Sequence, residues 1–134
     1  MYLNCKTYYS FRYGTFSTTE LVNHAAQAGI DTLAITNINN TCDAWDFVKQ
    51  CNEKKIKPIL GAEIRNGNEV LYILLAANRK GFQWINHFLS TYRIGKKKFP
   101  SATTDVHFFD DPEDGFVIYP FGKKNCKIYY SMSQ

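Results

Sequence analysis

Long hydrophobic runs are missing from this chain of 134 residues. None approaches the ~20 apolar residues that a membrane-spanning helix requires, so a membrane protein is not expected. Paired cysteines are missing too. Cys5, Cys42, Cys51 and Cys126 stand far apart, with no C-x-x-C pair and no flanking histidine, which argues against a structural zinc site. With no signal peptide at the start, a secreted disulfide scaffold is equally unexpected, and buried free thiols in a reducing cytoplasm are the default. The sequence has neither the G-x-x-x-x-G-K-[ST] loop that cradles nucleotide phosphates nor the G-x-S-x-G elbow that presents a nucleophilic serine. Ser10 and Ser17 have no positioned base that the sequence reveals. Internal repeats and low-complexity segments are absent as well.

What remains is globular. Hydrophobic residues make up 45% and aromatics 16%, and a chain this long buries roughly two-thirds of its unfolded surface as one domain. The net charge of +4 is mild. Lysines gather at Lys54-Lys55, Lys96-Lys97-Lys98 and Lys123-Lys124. No stripe of base-stacking aromatics accompanies them, so a solvated surface explains them better than a nucleic-acid patch.

The order of elements is legible from patterning. Residues 1–5 read as an opening strand and 7–16 as a polar, aromatic loop. Ser17 and Glu20 form a capping box. The helix behind it carries Leu21, Val22, Ala25 and Ala28 on one stripe, and Gly29 is its left-handed stop. Residues 32–36 are rich in β-branched side chains without polar alternation and read as a buried strand. Thr41 is expected to cap a second helix bearing Ala44, Phe47, Val48 and Cys51. Residues 58–64 and 70–76 read as strands with an Asn66-Gly67 turn between them. A third helix over 81–92 presents Phe82, Ile85, Phe88, Leu89 and Tyr92 at spacings of three and four. Past Arg93 the pattern weakens: 94–112 reads as a loop, 116–119 as one more strand, and 127–130 as a further candidate. The alternation predicts an α/β fold with a largely parallel sheet.

In such a fold, function gathers in loops at the carboxyl ends of the strands, which selects residues 5–7, residues 37–41 and Glu63. These places offer lysine, asparagine and threonine with a single carboxylate. A hydrolytic metal site needs several His, Asp or Glu ligands around its cations. His24 and His87 read as packed or surface helix residues. His107 precedes Asp110 and Asp111 in what reads as a solvated loop, with a metal site there left open. For Tyr8, Tyr9, Phe11, Tyr13 and Phe16, stacking on bases and packing around the loop both stay open.

At these strand ends the sequence resembles the PHP family. YLNCKTYYSFRYGTFS (2–17) is similar to the family opening, in which a strand ends H-x-H-[ST]-x-[YF]-S before a glycine and a capped helix. LAITNINN (33–40) resembles LA[IVL]TDH-x-N, and KPILGAEIR (57–65) resembles K-P-I-x-G-x-E. LYILLAANRKGFQWINHFLS (71–90) resembles H-L-x-L-L-A-x-N-x-x-G-[FY]-x-x-[IL]. The last two forms are typical of PHP domains opening bacterial polymerase III alpha subunits. The likeness covers about residues 2–92, with 93–134 a weaker tail of the same single domain, and its strength lies in the segments coming in order.

The resemblance implies the N-terminal part of a distorted (β/α)7 barrel. Active members hold divalent metals such as zinc, manganese or magnesium at the barrel mouth, some as phosphoesterases and some as 3′–5′ exonucleases of replicative polymerases. Here the family's opening histidines fall at Asn4 and Lys6, and its acidic residue before the glycine falls at Tyr13. The Asp and His of the second motif fall at Asn37 and Ile38, and the later histidine falls at Leu71. Only Glu63 remains as a ligand. The resemblance therefore implies the PHP region of a cytoplasmic, DNA-directed DNA polymerase active in DNA replication, itself a scaffold with no catalytic residue and no cofactor. Its partners would be the rest of the alpha subunit, DNA through the parent protein, and a proofreading exonuclease subunit.

A whole barrel needs more chain, so a segment cut from a longer polymerase is expected. Its open sheet edges would favour a dimer or a tail, 127–130, folded back along an edge. Two alternatives stay open: a metal-dependent phosphoesterase or exonuclease using Glu63 with His107, Asp110 and Asp111, and a stand-alone binding module. The last expectation concerns the vacated mouth. There the Lys6 ammonium would replace the metal charge by bonding Glu63 within about 3 Å, with Asn4 and Asn37 completing the network. The alternative is Lys6 in solvent.

Overall fold

The computed structural model describes residues 1–101 and 107–121. Strands β1 (Tyr2–Cys5), β2 (Thr32–Ile35), β3 (Lys57–Asn66), β4 (Glu69–Ala76) and β5 (Gly115–Ile118) lie side by side in sequence order. Helices α1 (Thr18–Gln27), α2 (Ala44–Glu53) and α3 (Arg79–Ile94) alternate with them, and a 3-10 turn at Pro112–Asp114 precedes β5. The α/β fold is as expected, but the sheet is not largely parallel. β1, β2 and β3 pair in parallel, whereas β3–β4 and β4–β5 are antiparallel. The connections explain the first change of direction. α1 and α2 carry the chain back to the starting end, which a parallel partner needs, whereas a tight turn joins only antiparallel strands. That turn follows Asn66, with Gly67 at φ 59°.

β3 serves two neighbours in succession. Residues 57–60 pair with β2 and residues 61–66 with β4. Gly61 stands at the changeover, where a Cβ would lie 2.3 Å from the Leu74 carbonyl oxygen. No larger residue fits.

Local signals set most helix ends. Ser17 and Glu20 make the reciprocal capping box of α1, and Gly29 follows with φ 69°. Thr41 does not cap α2: the helix begins after Asp43, and the Thr41 hydroxyl instead donates to Asn86 Oδ1 at 2.6 Å. α3 starts earlier than its apolar stripe suggests because Asn78 caps it, accepting from the Gly81 amide at 2.9 Å.

The core falls into layers. Val22 and Ala25 of α1 and Phe47 and Cys51 of α2 pack on Leu33 and Ile35. Ile85, Phe88 and Leu89 of α3 cover Ala62, Ile64, Tyr72 and Leu74. The face of the sheet away from the helices carries a smaller cluster of Ala34, Ile73 and Leu75, with Leu3, Ile59 and Ile118 against it. Adjacent strand residues thus point to opposite faces, and this alternation decides the site below. Cys51 is buried, Cys5 partly so, and Cys42 is exposed, so the expectation of buried thiols fails at Cys42. Burial pushes the Cys51 thiol up to about 11, which keeps it unreactive. No helix among the described residues is long and apolar enough to cross a membrane. Cys126, the Lys123-Lys124 pair and the strand expected over 127–130 lie outside the described residues.

Candidate functional site

The carboxyl ends of β1, β2 and β3 meet. Beyond β2 the chain stays beside β3, where the Glu63 amide donates to the Asn37 carbonyl at 3.0 Å and the Asn39 amide donates to the Glu63 carbonyl at 2.9 Å. Along β3, Ile59, Gly61, Glu63 and Arg65 share one face by the period of two. Ile59 packs in the cluster away from the helices, so Glu63 and Arg65 line the carboxyl end of that same face. Asn4 and Thr36 join them, the Thr36 hydroxyl donating to Asn4 Oδ1 at 2.7 Å.

Lys6 closes this end. Its ammonium donates to Glu63 Oε2 at 2.8 Å and to Asn4 Oδ1 at 2.7 Å. The expected ion pair is therefore present, with Asn4 beside it. Arg65 is an addition that sequence reasoning misses. Its Nε donates to the other carboxylate oxygen of Glu63, and its guanidinium lies 4.2 Å from the centroid of the Tyr13 ring, a cation–π contact. Burial works against charge on Glu63, yet the hydrogen bonds and charges of Lys6 and Arg65 outweigh it and hold the carboxyl below the usual range. A signal for Arg65 does exist: a residue two positions after Glu63 on a strand must share its face.

Asn37 does not complete this network. As the neighbour of Thr36 it projects to the opposite, helix-covered side, where it builds a second one. Its Oδ1 accepts from the Thr7 amide at 2.9 Å and the Ser10 hydroxyl at 2.7 Å. Its Nδ2 donates to Asp43 Oδ1 at 2.8 Å and to Thr7 Oγ1 at 3.0 Å. A backbone N–H can only donate, so the amide oxygen must face Thr7 and the NH2 must face Asp43. Asp43 Oδ2 accepts from the hydroxyls of Thr7 at 2.7 Å and Thr18 at 2.9 Å. Thr7, Ser10, Thr18, Asn37 and Asp43 are all buried. Together they fasten the loop at 7–16 to the starts of α1 and α2. Gly14 lets that loop fold on itself, since a Cβ there would lie 1.9 Å from the Thr7 carbonyl oxygen.

The remaining candidates do not converge on Glu63. Leu71 is buried among Ala62, Ile64, Tyr72 and Leu74, an apolar setting without a polar partner to offer. His24, His87 and His107 are exposed, His24 with its ring stacked on Phe16. Asp110 and Asp111 line a cleft of about 640 Å³ with Lys80, His87 and Asp114, and His107 is not part of it. A larger groove of about 740 Å³ runs past Trp45, Val48, Pro58, Leu60 and Phe82 and includes neither Lys6 nor Glu63. Among the described residues no group of His, Cys, Asp and Glu is gathered so as to hold a metal ion.

The PHP domain model matches residues 3–117. The chain belongs to the PHP family. As a PHP domain it is 31% identical over 108 residues to an error-prone DNA polymerase of Symbiobacterium thermophilum, covering 81% of this chain and 10% of that protein. It is 30% identical over 97 residues to the DNA polymerase III subunit alpha of Streptococcus pyogenes, covering 70% and 9%. The same subunit of Mycoplasma genitalium is 35% identical over 87 residues, covering 63% and 10%. The chain spans about a tenth of the length of these curated relatives. Its fold is shared with a solved structure from Bifidobacterium adolescentis described as a metal-dependent phosphoesterase, with TM-score 0.53, 20% identity, and coverage of 69% of this chain and 33% of that one. An amidohydrolase from Chromobacterium violaceum aligns with TM-score 0.54 at 18% identity, covering 70% and 33%. Among the described residues, the donor set around Glu63 does not fit a divalent metal ion. Its carboxylate is already engaged by an ammonium and a guanidinium, and a divalent cation would meet their repulsion before it met Glu63.

Proposed function

We propose that this PHP domain belongs to the N-terminal region of a bacterial replicative DNA polymerase, an alpha subunit working in the cytoplasm, and supports that protein without hydrolytic chemistry of its own. The observation that carries this reading is the Lys6 ammonium on Glu63 at 2.8 Å, standing where a metal ion would need the carboxylate. Asn4, Lys6 and Glu63 are then former ligand positions, and none is catalytic, whereas Asn37 on the opposite face and Leu71 in the apolar core stand apart from that site. Asn37 supports the same reading from the other face. An aspartate there would place one carboxylate against another across the 2.8 Å now bridged to Asp43 by an NH donor. The two networks keep the strand ends in place and hold the loop at 7–16, so the domain offers the rest of the alpha subunit a rigid surface. Through that subunit it would meet DNA and a proofreading exonuclease subunit. β1 and β5, each with one strand neighbour among the described residues, are the edges at which a second copy would pair.

The test is hydrolysis of a single-stranded oligonucleotide by the purified chain with added manganese or zinc. The expected rate equals that of buffer, for the natural sequence and for Glu63→Gln alike. Metal-stimulated hydrolysis that Glu63→Gln abolishes would replace this reading with that of a metal-dependent phosphoesterase.

A further inference from the structure

Asn66-Gly67 is the one place in the 134 residues where glycine follows asparagine. Such a pair is chemically labile, because glycine has no side chain to shield its backbone nitrogen from the neighbouring amide carbon. Here the asparagine side chain is also a fastening. Its Nδ2 donates to the Phe99 carbonyl at 2.9 Å, and its Oδ1 accepts from the Phe99 amide at 2.9 Å. One primary amide thus holds both backbone groups of a single residue, which takes a donor and an acceptor on the same side chain. The residue it holds anchors the chain leaving α3. Phe99 is buried against Phe88 and Tyr92, and the Tyr72 hydroxyl donates to the Pro100 carbonyl at 2.9 Å. Lys96, Lys97 and Lys98, just before it, are exposed.

We propose that Asn66 is a deamidation site, and that its modification unfastens the segment at 96–100. The attacking nitrogen lies in an exposed two-residue turn, Gly67-Asn68, between the paired residues Asn66 and Glu69. The Gly67 nitrogen bonds to Cγ of Asn66, and the side-chain nitrogen leaves as ammonia, taking the proton that Gly67 gives up. Water then opens the cyclic imide to aspartate or isoaspartate. The side chain reacts only when it swings free of Phe99, so local opening of the segment sets the rate. The product cannot refasten. Aspartate has no N–H to donate and turns an oxygen toward the Phe99 carbonyl oxygen, an acceptor against an acceptor. Isoaspartate also lengthens the backbone by a carbon and disturbs the pairing of Arg65 and Asn66 with Val70 and Glu69. A transient opening is thereby made permanent. The inference goes beyond the supporting role and does not depend on it.

The test is limited digestion with trypsin, which cuts after lysine. In Asn66→Asp, the direct product of the reaction, cleavage at Lys96, Lys97 and Lys98 should be about tenfold faster than in the natural chain. Lys54 and Lys55 should be cut no faster. Asn68→Asp makes the same charge change on an exposed neighbour and should leave the pattern unaltered. In the natural chain aged at mildly alkaline pH, peptide mapping by mass spectrometry should find aspartate and isoaspartate at Asn66 ahead of every other asparagine. Tyr72→Phe, which takes the hydroxyl donor from Pro100, should speed their formation severalfold. Asn66 still intact after other asparagines have reacted, no acceleration in Tyr72→Phe, or equal trypsin patterns for Asn66→Asp and Asn68→Asp would overturn the proposal. So would faster cleavage of Asn66→Asp at Lys54 and Lys55 as well, because that marks general unfolding rather than a released segment.

Discussion

Asp43→Ala is expected to lower the free energy of unfolding by about 3–4 kcal/mol, read as a fall in the urea midpoint at unchanged slope. Asp43 is 3% exposed and accepts from Thr7, Thr18 and Asn37. Removing the carboxylate takes the short-range acceptor from the Thr7 and Thr18 hydroxyls and from one N–H of the Asn37 amide in a place water does not reach, and each lost partner costs more than the bond contributed. Asp43→Asn keeps the shape and one acceptor, so its loss should be smaller, about 1–2 kcal/mol. A midpoint for Asp43→Ala within error of the natural chain would show that the loop at 7–16 is held by something else.

Glu63→Leu should cost about 3–5 kcal/mol, because it strands two cations side by side in a nearly closed site. Lys6 and Arg65 are only 14% and 10% exposed. Lys6→Met leaves Arg65 on the carboxylate, and its cost should be lower, about 1–2 kcal/mol. The same pairing sets a pH dependence. The folded-state pKa of Glu63 is held below its unfolded value, so the stabilisation is complete above the ordinary glutamate pKa of about 4.3 and is lost as pH falls through the lower, folded value. Urea midpoints measured down that range should fall more steeply for the natural chain than for Glu63→Gln. Parallel curves would show that the ion pair contributes nothing.

The strand ends are legible because function in α/β folds sits where strands finish, and Lys6 and Glu63 come together on that ground alone. Arg65 escapes a search for metal ligands, although strand periodicity puts it on the face of Glu63. Asn37 is expected on the wrong face for the same reason in reverse: it directly follows Thr36, whose side chain reaches Asn4, so its own must turn away. Asp43 gives no sequence signal as an acceptor for two hydroxyls, since its donors come from three separate segments, and Thr41 offers a more conventional cap. The Asn66-Gly67 turn does encode the antiparallel β3–β4 pair. The antiparallel β5 is not legible, because a strand that follows a helix reads as one more parallel crossover. The exposure of Tyr8 to Phe16 cannot be read at all, since composition does not say which way a loop's rings point.

Lys6 and Arg65 both bond to Glu63, and the proposal that they stand in place of a metal ion is tested most directly by manganese binding. The purified chain is equilibrated with manganese, passed through a desalting column, and its bound metal measured against protein. Substoichiometric manganese, unchanged in Glu63→Gln, is the predicted result. Stoichiometric manganese in the natural chain, lost in Glu63→Gln, would contradict it.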